Sequence, residues 1–429
     1  MTTSSACFSS KFSILTQSTG NIKFPRNFTR AAGLLLLMAT IGVAQAHAET
    51  SATAPRPVAE LPLKLGLGRV PFAQVTIGGS RPLAVILDTG ANDDILNARI
   101  VRELGLHVVN PQVIEQPGGA IEMGQIESVQ LKLASVPVQN LAMVSAPLDP
   151  LQPFIGQQLD GILGYGFFSQ FVVEIDYAAQ RARLFAPETY VAPPKAVMIP
   201  ITFRGKSPLV EITMEGATGE SVKTWVEIDT GSFESLGLKG AFLDGHRLVK
   251  ADATKRPLFG LAIGGETSGY RTRLAAATLG PFRLSRPVTS AMTSSNAESG
   301  DGDVAGVLGG EALNRFKVIV DYSRKQLLLI PNRELSRPSE YFDFLGAQIV
   351  AAGEHYNQFQ IKAVMPNSPA SEAALQSGDD IIAIDGQTTT KMSLEQVIGK
   401  FSRPGDRRRL DIARRGDRLT IVLTTRRLL

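Results

Sequence analysis

The sequence predicts a mainly β protein: two homologous β lobes forming a cleft, followed by a smaller C-terminal α+β module. Three observations predict it. A strand, Gly-Gly turn, strand unit, PFAQVTIGGSRPLAVILDTG at 71–90, returns as PLVEITMEGATGESVKTWVEIDTG at 208–231, both ending in Asp-Thr-Gly. Residues 160–185 align without gaps on 305–330, so that Gly161, Leu163, Gly164, Asp176 and Tyr177 fall on Gly306, Leu308, Gly309, Asp321 and Tyr322. Internal duplication of this kind decides an architecture before any single element does. Beyond residue 340 the texture changes, and SPASEAALQSGDDIIAIDGQ at 368–387 reads as a short helix, a turn and a buried strand.

The parts in order are a leader over 1–48, a linker over 49–61, lobes over 62–192 and 193–332, a linker over 333–340 and the module over 341–429. The leader has basic residues (Lys11, Lys23, Arg26, Arg30), then the apolar run AAGLLLLMATIGVA, then Ala-x-Ala sites ending at Ala46 and Ala48. This is the order of a secretory signal, so export to a periplasm or the exterior is expected, with membrane tethering if the signal is retained. No later stretch is long and apolar enough to span a bilayer. Without the leader the chain has 40 basic and 40 acidic residues, which argues against nucleic acid as a partner. The single cysteine, Cys7, lies in the leader, leaving no thiolate nucleophile, disulfide or cysteine metal site. The histidines show no ligand spacing; neither a metal nor a cofactor is expected.

The chemistry rests on the two aspartates. Two carboxylates about 3 Å apart share one proton, because both cannot ionise readily. The charged one serves as a general base towards water and the protonated one as a general acid towards a carbonyl. Apolar strands deliver Asp88 and Asp229 to buried junctions. Thr89 and Thr230 have short hydroxyls suited to bonding across a pseudo-twofold axis, and Gly90 and Gly231 leave room for backbone N–H groups near the carboxylates.

LAVILDTGAN, TWVEIDTGSF, and the later Ile162-Leu163-Gly164 and Val307-Leu308-Gly309 resemble the pepsin-like and retropepsin-like aspartic proteases over about 65–332. The resemblance implies a peptide cleft between two β lobes, with Asp88 and Asp229 as the catalytic pair. The first motif continues to Ala91 as in retropepsins, the second to Ser232 as in pepsin-like enzymes. Ser232 is expected to donate to Asp229 and to favour the charge there. The family's flap hairpin is assigned to Gln116–Ile121, with Gly118 and Gly119 at its turn; it lacks the flap tyrosine of pepsin-like enzymes. Residues 368–386 resemble PDZ domains of bacterial envelope proteases. That resemblance implies capture of a peptide or protein C-terminus by a Gly-containing loop, best matched by Phe344, Leu345, Gly346 and Ala347, with the peptide adding as a strand.

Other residues receive structural readings. Asp176 and Asp321 each precede a tyrosine and fit hairpin turns. Asp93 and Asp94 are assigned to a solvated turn or helix start, and Arg407 to Arg418 to a solvated strand face interleaved with aspartates. The function expected is aspartic-type endopeptidase action on peptide or protein substrates. The alternative is an exported peptide-binding scaffold with a protease fold and little turnover.

Overall fold

The computed structural model describes residues 56–116, 119–134, 136–262, 265–293, 303–337, 339 and 344–429. The leader and Gly118 lie outside the described residues. The protein is mainly β, with two β lobes and a C-terminal α+β module. Each lobe is built on its own sheet, and a third sheet joins them.

The joining sheet shows the duplication most directly. Val172–Asp176 of the first lobe pairs antiparallel with Phe316–Asp321 of the second, in the register Val173↔Val320, Glu174↔Ile319, Ile175↔Val318. The 145-residue repeat exchanges the first and third of these pairs and maps the middle one onto itself. A local twofold therefore passes between Glu174 and Ile319. Outward from this centre lie Arg181–Phe185 on one side and Gln326–Pro331, then Val197–Pro200, on the other. The turns behind the paired strands use the two matched aspartates: Asp176 accepts the Ala179 N–H at 2.9 Å, and Asp321 the Arg324 N–H at 3.1 Å.

The linker expected over 49–61 ends earlier than proposed. Ala59–Pro62 is a strand on the edge of the joining sheet, pairing Ala59↔Leu184 through Pro62↔Arg181. Ala59 and Leu61 turn inward, while Glu60 bonds Arg181 and Arg183 at 2.6 and 2.7 Å. Pro62 is tolerated because an edge strand need not donate outward. The second expected linker is also partly ordered: Arg333–Ser336 forms a 3-10 turn capped by the Asn332 side chain.

Within each lobe, a strand that leads into Asp-Thr-Gly runs parallel to a short strand that leads to Gly164 or ends at Gly309. Leu83–Leu87 pairs with Gly161–Leu163, and Ser221–Asp229 with Val304–Gly309. Each lobe also carries a long hairpin, Val109–Gln116 with Gly119–Leu133 in the first and Arg256–Ala262 with Gly265–Arg273 in the second. One continuous apolar core runs through both lobes.

The C-terminal module has a separate core around Phe359, Ile361, Ile384, Leu394, Phe401 and Leu410. Its helices Pro369–Glu372 and Leu394–Gly399 begin with capping boxes at Ser368 and Ser393. Its strand Ala347–Ala352 stands at the end of the sheet and packs against the first-lobe turn Gln152–Ile155. Tyr356 hydrogen-bonds Gln152, and Leu67 of the first lobe packs onto the module's core.

Candidate active site

Leu83, Val85 and Leu87 are buried, and the Asp88 N–H donates to the Leu163 carbonyl at 2.9 Å. The parallel pairing thus holds the strand until it releases the chain at Asp88. The second lobe repeats the arrangement, with Asp229 opposite Gly309. Neither motif closes on itself; each closes on the other. The Thr89 N–H donates to Thr230 Oγ1 at 3.0 Å and the Thr230 N–H to Thr89 Oγ1 at 3.1 Å. Each hydroxyl then donates onward, Thr89 Oγ1 to the Ile228 carbonyl and Thr230 Oγ1 to the Leu87 carbonyl, both at 2.7 Å. Four hydrogen bonds between buried groups fix the two loops face to face.

This brings the half-buried carboxyls of Asp88 and Asp229 into a mutually interacting pair. The glycines make it sterically feasible. A β-carbon on Gly90 would lie 2.6 Å from Asp229 Cγ, and one on Gly231 would lie 2.3 Å from Asp88 Oδ2. Each glycine therefore makes room for the opposite lobe's carboxyl.

The pair is not electrostatically symmetric. Burial pushes Asp88 up, but the N–H groups of Gly90, Ala91 and Gly231 and a hydrogen bond with Asp229 pull against it. The Gly90 N–H reaches Asp88 Oδ1 at 2.8 Å. Burial pushes Asp229 well above the usual carboxylate range, and the charges of Asp88 and Glu227 add to that, against the Ser232 N–H. Asp229 Oδ1 is buried with no hydrogen-bond partner among the described residues. Burial and the neighbouring charges of Asp88 and Glu227 thus lean against charge on Asp229, where the sequence expectation had placed it. Ser232 Oγ instead accepts the Glu234 N–H at 3.3 Å.

Asp94 also departs from expectation. It is 1 % exposed, not solvated, and accepts the N–H groups of Gly164 at 2.8 Å and Phe167 at 3.3 Å. Burial raises its pKa to about 6. Asp93 is the surface member and pairs with Lys206 of the second lobe at 2.6 Å.

Gly119 pairs with Gln116 at the end of the first-lobe hairpin. The second-lobe hairpin was not anticipated, although Gly264-Gly265 stands 146 residues after Gly118-Gly119 and gives the signal. Tyr322 was read only as part of the repeat. Its hydroxyl donates to the Thr89 carbonyl at 3.2 Å, within the catalytic-type loop. In the C-terminal module, Leu345 is buried and its carbonyl accepts the Ala370 N–H, Gly346 has φ +76°, and Ala347 opens the edge strand. No group of three or more His, Cys, Asp or Glu is arranged to hold a metal among the described residues.

Comparison with known proteins matches residues 73–167 to the family described as aspartyl protease and residues 337–412 to the PDZ domain. The chain carries an aspartyl protease domain and a C-terminal PDZ domain. A carboxyl-terminal-processing protease of Synechocystis sp. is 34% identical over 86 residues, which span 17% of this chain and 19% of that protein. An aspartic proteinase from Irpex lacteus is similar in structure, at 13% identity and a TM-score of 0.43, over 66% of this chain and 99% of that one. The aspartyl protease domain and the PDZ domain together support a protease-type function. No described helix is long and apolar enough to cross a membrane.

Proposed function

We propose that the protein is an aspartic endopeptidase in which Asp88 and Asp229 activate one water molecule. The observation that carries this reading is the reciprocal Thr89–Thr230 bonding that holds the two carboxyls together. A pair so close keeps one proton between its members. Charged Asp88 takes a proton from water as the oxygen attacks the peptide carbonyl. Asp229 donates its proton to the carbonyl oxygen, giving a neutral tetrahedral intermediate. Breakdown re-forms the carbonyl, breaks the C–N bond and transfers a proton to the departing amine. Neither cofactor nor metal enters these steps. The first-lobe hairpin around Gly119 serves as the cover of the cleft, and the PDZ domain holds a peptide or protein substrate by strand addition at Ala347–Ala352. The leader's basic, apolar, small-residue order supports export.

The test is incubation of the purified protein with a diverse peptide mixture from pH 3 to 7, with products read by mass spectrometry. Cleavage by the parent and none by Asp88→Asn or Asp229→Asn is the expected result. A folded parent that cleaves nothing would instead support a peptide-binding scaffold. Cleavage persisting in either variant would mean that other residues carry the reaction.

A further inference from the structure

We infer that Tyr322 is a positioning residue that assigns the negative charge of the aspartate pair to Asp88. Its hydroxyl donates to the Thr89 carbonyl at 3.2 Å. That carbonyl and the Gly90 N–H belong to one planar peptide unit. The same N–H donates to Asp88 Oδ1 at 2.8 Å. Phenol, peptide and carboxylate thus form a single directed chain of hydrogen bonds. A donor to the carbonyl end polarises the peptide, strengthens its N–H as a donor, and so favours the charged carboxylate beyond it.

The Asp229 side of the pair supplies a built-in control. Tyr177 matches Tyr322 in the repeat, yet its hydroxyl is buried with no partner among the described residues. Asp229 Oδ1, at the other end of the corresponding chain, is also without one. Burial holds both phenols above their usual range, so both hydroxyls keep their protons and remain donors. Only the one beneath Asp88 reaches its loop carbonyl.

Tyr322 is fixed well enough to act in this way. Phe203 meets its ring edge-on at 4.9 Å between centroids, and Tyr165 and Phe168 lie at 5.7 Å. Removing the oxygen alone therefore leaves the ring packing in place. The titratable groups facing Tyr322 are Asp88, Glu227, Tyr165 and Asp229; Asp229 faces Asp88, Glu227 and Tyr177. Glu227 lies two residues before Asp229 on the same strand and adds to the bias by disfavouring charge on Asp229. It is present in both the parent and Tyr322→Phe, so their difference isolates the hydroxyl.

The experiment is a carboxyl 13C NMR titration of the full chain labelled at aspartate, with the pair assigned by Asp88→Asn and Asp229→Asn. It does not require turnover, so its outcome is separate from that of the peptidase reading. In the parent, Asp88 is expected to ionise first. In Tyr322→Phe, its midpoint is expected to rise by about 0.5 pH unit or more, as its N–H donor weakens. Tyr177→Phe is expected to leave it in place. Where the protein cleaves peptides, the acid limb of the kcat/KM profile should move by the same amount in Tyr322→Phe alone. A tyrosine that only packs would lower the Tm without moving the titration, and that result overturns the inference. So does a parent in which Asp229 ionises first, which is readable even if Tyr322→Phe fails to fold.

Discussion

At Asp94 a buried acid accepts two amide N–H groups 70 and 73 residues further along the chain. Its folded pKa, about 6, exceeds the usual 3.8, chiefly through burial. An acid that holds its proton more tightly when folded favours folding at low pH. Its contribution is lost as pH rises from about 4 through about 6, a swing of about 3 kcal/mol at most. Asp94→Asn keeps an oxygen for the two N–H groups and removes the titration. Urea midpoints measured from pH 4 to 7 should therefore fall less steeply in the variant; an unchanged slope would show that Asp94 does not titrate there. A second residue-scale prediction concerns Gly231, whose added β-carbon would lie 2.4 Å from Asp88 Cγ. Gly231→Ala should displace that carboxyl and reduce kcat by about 100-fold or more, for a stability cost of about 1–3 kcal/mol. Activity within threefold of the parent would contradict the tight opposition of loop and carboxyl. The sequence made Asp88, Asp229 and their glycines conspicuous because both motifs follow apolar strands. It could not separate Asp93 from Asp94, because burial there is set by the distant Gly164–Phe167 amides. The expectation that Ser232 favours charge on Asp229 weighed only a near neighbour, whereas burial and the charge of the distant Asp88 act there against the Ser232 N–H.

Among the elements, the joining sheet places a charge on the local twofold. Glu174 is buried there, paired with Arg183 at 2.8 Å and Lys317 at 3.3 Å, while its symmetry mate is Ile319. Removing a whole buried charge often costs little, whereas removing a partner leaves the other charge uncompensated. Glu174→Ile, which copies the mate, should change the unfolding free energy by less than about 1 kcal/mol, because Lys317 keeps Asp176 at 2.9 Å and Arg183 keeps Glu60 at 2.7 Å. Lys317→Met leaves both Glu174 and Asp176 short of a cation and should cost more, about 1–3 kcal/mol given its partial exposure. Urea unfolding of the two variants decides it, and the opposite ranking would refute the account. The paired strands of this sheet are legible in the repeat itself. Ala59–Pro62 is not: four residues flanked by linker-like composition show too little periodicity, and their partner strand begins at Arg181. The second-lobe hairpin had its Gly-Gly signal but lacked a neighbouring motif to draw notice.

On the scale of the whole described chain, the PDZ edge strand and the first lobe meet along one seam. The sequence marks the two modules through their motifs, but the seam residues Gln152–Gly156 carry none, and their contacts are all distant in sequence. Under the proposed strand addition a peptide would take the unpaired edge of Ala347–Ala352, the strand that Gln152–Ile155 packs against. Gly156 sets how closely the two surfaces approach: a β-carbon there would lie 2.4 Å from Leu394 Cβ at the start of the module's longer helix. Nearby, Leu67 packs on the module's core while Gly68 lies against Phe233, whose Cα would be 2.3 Å from an added β-carbon. The same short turn thus touches both the PDZ domain and the loop four residues past Asp229. Gly156→Asn should part the seam. Gly105→Asn is the control, since Gly105 has a similar positive φ, +61° against +75°, and an added β-carbon there meets nothing within 4 Å. Asparagine tolerates that backbone region better than most residues. Hydrogen exchange on the full chain should show amides of Ala347–Ala352 exchanging at least about tenfold faster in Gly156→Asn, which is about 1.4 kcal/mol of lost protection. Those of Gln358–Val364, inside the sheet, should be unchanged, and Gly105→Asn should resemble the parent throughout. Equal protection of the edge strand in all three proteins would mean that the first lobe does not guard it, and that peptides reach the PDZ domain without moving the lobe aside.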